Sequence, residues 1–443
     1  MPEMSRRAIF KTGAALAVGA SAMSLNPIAA AGDDVSAKAP SSAPTFGHTI
    51  AYGDEYHKNI LPIMEAVRKK ELPVIAEVAD RMAATVKNGH KVWMQAKQGH
   101  LCRHEFDMAN RGNPGLFQSD SEWDDTDYDK MQSGDMLVTN YINDNVAAVR
   151  KSGVYVVGVT VCYQDSPAAP RGVINPNANG WFLSDVSDII IDSHSPWEQG
   201  IVSCAQIPEM KICPSSANPL TAIFWMLTAE GANRLKNSSD ASAPFAAKYL
   251  DTVIERIRAS YPPQRDALFG AAVSAAERII SGAHYHVTSD HRGVEQESAG
   301  VASGPMMTNA FKKEMKSGDV HLLATIEPDS PKIIEAATAA RDMGQYILAI
   351  GPAGSTRLAA LADVFIDNYC PEGGGLLDIP GYSEKIATAS SILSNVLMWI
   401  FTGQMVDEMT RRGTVPWFWM GYYLKGGAEY DDAVRPLFMR QGF

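Results

Sequence analysis

Residues 133–142 read SGDMLVTNYI, and residues 317–327 read SGDVHLLATIE. Each is a Gly-Asp turn followed at once by a short apolar run, and the second begins 184 residues after the first. Two further matches follow in the same order. SDIIID from Ser187 pairs with ADVFID from Ala362, and Ser215-Ser216 pairs with Ser390-Ser391, both 175 residues apart. Three ordered matches at nearly one period mark an internal repeat, which has to be recognised before a fold is assigned.

Outward from these anchors the pattern alternates. KVWMQA (91–96), DMLVTNYI (135–142), VYVVGVTV (154–161) and DIIID (188–192) have the continuous apolar, β-branched character of strands covered on both faces. YHVTS (285–289), DVHLLATI (319–326), YILAIG (346–351) and DVFID (363–367) repeat them. Helical patterns lie between and around: residues 56–89 before the first run, NPLTAIFWMLTAEGANRL (218–235) after the last, and a long segment from Ser383 to Gly413 closing the second half. Strands alternating with helices predict right-handed crossovers and the α/β class. The expected architecture is two αβα sandwich domains, each with a five-stranded parallel sheet. Domain 1 is expected over 55–240 and domain 2 with a C-terminal tail over 241–443, the boundary falling in the polar stretch KNSSDASAP (236–244). The first crossover is shorter, 19 residues from Gly134 to Gly153 against 26 from Gly318 to Gly344, as in a degenerate or specialised first copy.

Of 443 residues, 46% are hydrophobic and 20% charged, a globular composition. The net charge of −11, spread along the chain, argues against nucleic acid or anionic lipid as partner, since both reward clustered Lys and Arg. Five cysteines (102, 162, 204, 213 and 370) form no CxxC pair, so no zinc knuckle is encoded. In an oxidising compartment Cys204 and Cys213 are near enough in sequence to pair; the alternative is small buried apolar residues.

The N-terminus reads as an address. SRRAIFK (5–11), the apolar run GAALAVGASAMSL (13–25) and the small-residue site at Ala29–Ala31 make a secretory signal of the twin-arginine type over 1–31. The apolar centre is shorter than the ~20 residues a membrane span needs, so no stable membrane insertion is expected after cleavage. Residues 32–54, rich in Ser, Ala and Pro, read as a linker, and the mature chain is expected outside the cytoplasm.

This order of elements resembles the SIS (sugar isomerase) domain of phosphosugar isomerases and phosphosugar-binding regulators. AKQGHLCRHEFDMANRGNPGLF (96–117) is similar to the glycine-histidine loop of the phosphosugar-binding SIS family. The segment from Asp378 to Gly413 and the tail YYLKGGAEYDDAVRPLF (422–438) are similar to that family's closing helix and Gly-Gly-acidic tail. The resemblance implies a sugar or sugar-derivative ligand, and a homodimer. It departs at the phosphate loops. A Ser-x-Ser-Gly-like cluster is usual there, whereas this chain has TNYIND (139–144) and TIEPDS (325–330), in which Asp144 and Glu327 repel a dianion.

In open parallel sheets a ligand lies at the carboxyl ends of the strands. The candidate binding residues are therefore Gly99, Thr139, Asn140, Asn143, Ser215 and Ser216 in the first half, and Asp290, Thr325, Ser330, Thr388, Ser390 and Ser391 in the second. Aldose–ketose isomerisation needs a base and an acid to move a proton between adjacent carbons. His100 and Glu105 in HLCRHE, and His291 and Glu295 in TSDHRGVEQE, are candidates for those roles, and Glu384 beside Lys385 is a third by resemblance. His100 and His104 also have metal-ligand spacing, but no third ligand is evident, so neither metal nor cofactor is expected. The structural alternative for 290–297 is an Asp-capped helix start. VPWFWMGYY (415–423) is either a sugar-stacking wall or a packing segment. Two functions lead, an exported isomerase working by acid/base chemistry and a non-catalytic binder of a sugar or sugar phosphate, and metal-dependent chemistry using His100, His104 and a carboxylate is a third.

Overall fold

The computed structural model describes residues 50–96, 112–119, 128–161, 181–237, 242–290, 293–371, 374–422 and 424–443. Helices α1 (Tyr52–Lys70) and α2 (Leu72–Lys87) meet at Glu71, with Pro73 in the first turn of α2, where a missing N–H costs nothing. They lead into β1 (Val92–Gln95), β2 (Phe117–Ser119), β3 (Met136–Thr139), α3 (Asp144–Lys151), β4 (Tyr155–Val159), α4 (Leu183–Val186) and β5 (Ile189–Ile191). The strands form one sheet of order β2-β1-β3-β4-β5, parallel throughout. An antiparallel hairpin, β6 (Gly200–Val202) and β7 (Ile212–Pro214), then feeds α5 (Ala217–Lys236).

The second half runs α6 (Pro244–Ser260), α7 (Arg265–Ile280), β8 (Tyr285–Ser289), α8 (Gly293–Ser298), β9 (Val320–Ala324), α9 (Pro331–Asp342), β10 (Tyr346–Gly351), α10 (Thr356–Leu361) and β11 (Val364–Asp367). A second hairpin, β12 (Gly375–Leu377) with β13 (Ile386–Thr388), precedes α11 (Ser390–Arg411) and α12 (Gly427–Gln441). The α/β class with parallel sheets is as expected. The second sheet, however, has four strands among the described residues, β11-β10-β9-β8, where five were expected. At the place of the fifth, one parallel bridge joins Tyr285 to Thr308, and the Asn309 side chain does the remaining work. Its Oδ1 accepts from Val287 N at 2.8 Å and its Nδ2 donates to Val287 O at 3.0 Å, so one amide satisfies the edge of β8.

The same ties recur in both halves. Asp135 accepts from Lys91 N and Trp93 Nε1, each at 2.9 Å, and from Gln132 N; Asp319 accepts from His284 N at 2.8 Å, His286 Nε2 at 2.9 Å and Lys316 N. Each aspartate thus clips the start of one strand to its neighbour. The preceding glycines, Gly134 and Gly318, have φ of 95° and 83°, which a side chain would strain. Asp188 and Asp363 accept from Val156 N and Ile347 N at 2.8 Å and pair with Arg150 and Arg341. SDIIID and ADVFID each form an edge strand, beside β4 and β10. Thr139 and Thr325 are not at matching positions: Thr139 ends β3, whereas Thr325 follows the end of the longer β9.

The opening helices are exchanged. α1 packs on α11, and α6 packs on α5. The exposed N–H groups at the start of α1 are met from α11, Tyr52 N by Asp407 Oδ2 at 3.3 Å and Gly53 N by Gln404 Oε1 at 3.4 Å. Those of α6 are met from α5, with Phe245 N and Ala246 N donating to Glu230 Oε2 at 3.0 and 3.2 Å. Each acid has an arginine one turn on, Arg411 and Arg234. α5 and α11 are buried nearly all round, and by its contacts the chain from His48 onward is one compact unit.

The hairpins also correct the expected closing helix. Glu384 and Lys385 were placed near its start, but they lie in the exposed turn between β12 and β13, and the helix begins at Ser390. Gly375 pairs with Thr388 and Leu377 with Ile386, which requires SEK to be loop.

Candidate functional site

Of the residues singled out from sequence, Gly99, His100, Glu105 and His291 lie outside the described residues, as does His104. In the first half Thr139 and Asn140 are buried at the end of β3, and Asn143 caps α3 by accepting from Val146 N at 2.8 Å. The Thr139 hydroxyl donates to Gln95 Oε1 at 2.8 Å, and Tyr128 OH joins Gln95 to Asn143. Ser215 and Ser216 are buried just ahead of α5, and Thr388, Ser390 and Ser391 are buried at β13 and the start of α11. Asn368 Nδ2 donates to Ser390 Oγ at 3.1 Å and to Ser394 Oγ at 3.0 Å. These hydroxyls are part of the packing between the hairpins and the closing helices.

Beyond the strand ends of the second sheet the chain's own carboxylates take the available donors. Asp290, just after β8, accepts from Thr325 Oγ1 at 2.8 Å and Ile326 N at 3.0 Å, in the loop after β9. Asp329 accepts from Arg357 N at 2.9 Å and Leu358 N at 3.0 Å at the start of α10. Ser330 is buried ahead of α9, whose first residue is Pro331 and therefore offers no N–H. Glu295 is half-buried in an ion pair with Lys312, and its N–H is held by Ser289 Oγ. Lys332 donates to the Ser289 and Asp290 carbonyls.

A cluster that sequence reasoning missed stands at the β5 edge of the first sheet. Asp192 follows β5 directly and Thr160 follows β4, so both lie at strand carboxyl ends. His194, with φ of 54°, places Nε2 2.9 Å from Glu71 Oε1 and Nδ1 3.4 Å from Asp192 Oδ2. Glu71 Oε2 also accepts from Asp192 N at 3.1 Å, while Asp192 Oδ1 accepts from Thr160 Oγ1 at 2.7 Å and His194 N at 2.8 Å. The three residues come from a helix elbow and a strand end 121 residues apart, so no spacing rule reveals them. The signal that was available is the repeat itself. Beyond β11 the same turn carries Tyr369 with φ of 59°, its N–H held by Asp367 Oδ1, while Gln264 Oε1 accepts from Asp367 N at 2.7 Å.

Among the described residues, His284, His286 and Asp319 bring possible metal-ligating atoms within 4.8 Å of one another. Asp319 is the strand clip described above, and Trp93 takes the place of His286 in the other half. Cys204, Cys213 and Cys370 are free thiols, so the pairing of Cys204 with Cys213 is not formed. No helix among the described residues is long and apolar enough to cross a membrane.

No known family profile matches the chain. It is 22% identical over 133 residues to a UPF0309 protein of Shouchella clausii, covering 28% of this chain and 54% of that one. It is 27% identical over 125 residues to a UPF0309 protein of Brucella anthropi, covering 26% and 51%. The chain thus spans about half the length of the curated relatives it matches. Among solved structures it is similar to a provisionally named tagatose-6-phosphate ketose/aldose isomerase of Clostridium novyi NT, at TM-score 0.48 and 9% identity, covering 82% of this chain and 88% of that one. A provisionally named sugar binding protein of Salmonella typhimurium LT2 matches at TM-score 0.44 and 12% identity, covering 80% and 98%.

Proposed function

We propose that this is an exported protein of two sugar-isomerase-like units, over 55–240 and 241–443, acting as a homodimer on an uncharged or weakly anionic sugar derivative. The observation that carries the ligand reading is the pair Asp290 and Asp329. Their carboxylates already hold the hydroxyl and N–H groups of the loop after β9 and the N–H groups of the first turn of α10. A phosphate dianion would have to displace them and then sit beside them, losing hydration without regaining donors.

Calorimetric titration of the purified chain with matched pairs of sugars and sugar phosphates tests this. The free sugar should bind more tightly of each pair. Tighter binding of the phosphate, weakened by Ser390→Ala, would overturn the reading. A non-catalytic binding role is the second reading for the second half, because Glu295 is engaged by Lys312 and Glu384 stands in an exposed turn. Export rests on SRRAIFK: Arg6→Lys with Arg7→Lys is expected to abolish translocation, and undiminished export of the double variant sinks that part of the proposal.

A further inference from the structure

We infer that Glu71, His194 and Asp192 form a proton-transfer site at the carboxyl edge of the first sheet, working on a carbonyl-bearing polyol; the substrate class rests on the sugar reading above. The argument begins with cost. Bringing two carboxylates and an imidazole out of water is unfavourable unless their pairing repays it. The second half keeps one carboxylate, Asp367 in the place of Asp192, but shows that the scaffold needs neither the second carboxylate nor the imidazole. There an amide, Gln264, makes the same bond to the N–H of Asp367, which ends the edge strand, and Tyr369 adopts the same left-handed turn. Holding the turn in place therefore explains Gln264 and Tyr369 but leaves the choice of a carboxyl group at Glu71 and an imidazole at His194 unexplained.

The geometry supplies a use. Metal ligands converge on one point, whereas here one carboxylate faces each nitrogen of the ring. Side-chain exposure rises along the series, from 10% at Glu71 to 16% at His194 and 34% at Asp192, so the line leads from the interior to solvent. Asp192 takes a proton from the carbon next to the carbonyl, and the C–H electron pair becomes the enediol double bond. His194 gives a proton to the carbonyl oxygen. On the return path the neighbouring oxygen gives its proton back to His194, and Asp192 delivers its proton to the adjacent carbon, so atoms and charge balance without an oxidant. Glu71 is a positioning residue that holds His194 Nε2 and the Asp192 N–H.

The test reads solvent deuterium entering carbon positions of free aldoses and ketoses, with dihydroxyacetone at high concentration as a substrate that needs no dedicated pocket, and reads sugar binding separately by calorimetry. His194→Tyr and Glu71→Gln copy the second half's own residues, and His194→Asn keeps a residue tolerant of positive φ. Exchange should fall at least about a hundred-fold in His194→Tyr, His194→Asn and Asp192→Asn, the range of general acid–base catalysis, and about ten-fold in Glu71→Gln. Sugar affinity should change by less than about three-fold. Exchange that survives both His194 variants overturns the inference, as does a wild-type chain that binds sugars but exchanges none. If no sugar binds, the sugar reading falls by itself. The dihydroxyacetone arm then decides, because a wild-type rate equal to that of the variants overturns the proton-transfer site too.

Discussion

At the carboxyl end of β5 an imidazole stands between two carboxylates, whereas at the end of β11 an amide, Gln264, and one carboxylate, Asp367, hold the same backbone turn and Tyr369 takes the place of the histidine. The surrounding ties are alike: the Gly-Asp clip, the arginine-paired aspartate before the edge strand, and the acid on a closing helix that caps an opening helix. At this turn the difference lies in two side chains, Glu71 and His194 against Gln264 and Tyr369. The two halves thus share these ties while the side chains at the turn differ, and the proton transfer we infer belongs to the half that carries Glu71 and His194.

The comparison breaks first at the clips. Asp319→Ala leaves His284 N, Lys316 N and His286 Nε2 without an acceptor, and Asp135→Ala does the same to Lys91 N, Gln132 N and Trp93 Nε1. Each should cost about 3–5 kcal/mol in urea unfolding. A cost below about 1 kcal/mol for either would show that the two clips are not equivalent. For Asp135, burial works against the charge, but hydrogen bonds from Lys91, Trp93 and Gln132 and the nearby His90 hold the carboxyl below its usual range. Its stabilisation is therefore complete above the ordinary aspartate value and is lost as pH falls through the lowered one. Asp135→Asn should flatten that acid limb.

The next contrast is smaller. His321 faces His286 in the register where Leu137 faces Trp93, and burial pushes its imidazole down to about 4. The folded chain keeps this ring neutral while the unfolded chain takes up a proton below about 6.5. Stability is thus full above that value and declines between about 6.5 and 4, by up to roughly 3 kcal/mol. Burial lowers His286 in the same direction. His321→Leu, which copies the first half, should remove most of this slope in urea midpoints taken across the window; an unchanged slope would assign it elsewhere. The smallest effect is expected at the missing fifth strand. Asn309→Ala exposes the edge of β8 and should cost about 1–2 kcal/mol, with faster hydrogen exchange at Val287 N–H; unaltered exchange there would mean that the amide does not stand in for a strand.

The α/β class, eight of the strand runs and the edge-strand equivalence of SDIIID and ADVFID were legible because a buried parallel strand needs a continuous apolar run, which is visible in sequence. The hairpins were not legible. Ile386–Thr388 is too short to show a period, so SEKIATASS read as a continuous helix. The fifth strand beside β8 failed for another reason: one side-chain amide replaces a backbone ladder, and no pattern rule anticipates that. For the candidate site, Asp290 and Thr325 were rightly placed at strand ends, but their bonding to each other is a tertiary fact. Glu71, Asp192 and His194 were passed over because each is unremarkable in its own segment, and only alignment of the repeat through Gln264 and Tyr369 sets them apart.

The capping of α1 by α11 also sets a schedule for synthesis. Tyr52 emerges 355 residues before Asp407, so the first helix leaves the ribosome long before the acid that will satisfy its N-terminus exists. At roughly 5–20 residues per second that interval is about 20–70 seconds. α6 is differently placed, because Glu230 is made before it. During that wait Tyr52, Tyr56, Ile60 and Met64 have no finished surface to bury against. The last stretch of the chain therefore completes the fold: a product stopped short of α11 leaves the face of α1 that packs on α11 uncovered, and the first N–H groups of α1 without their acceptors.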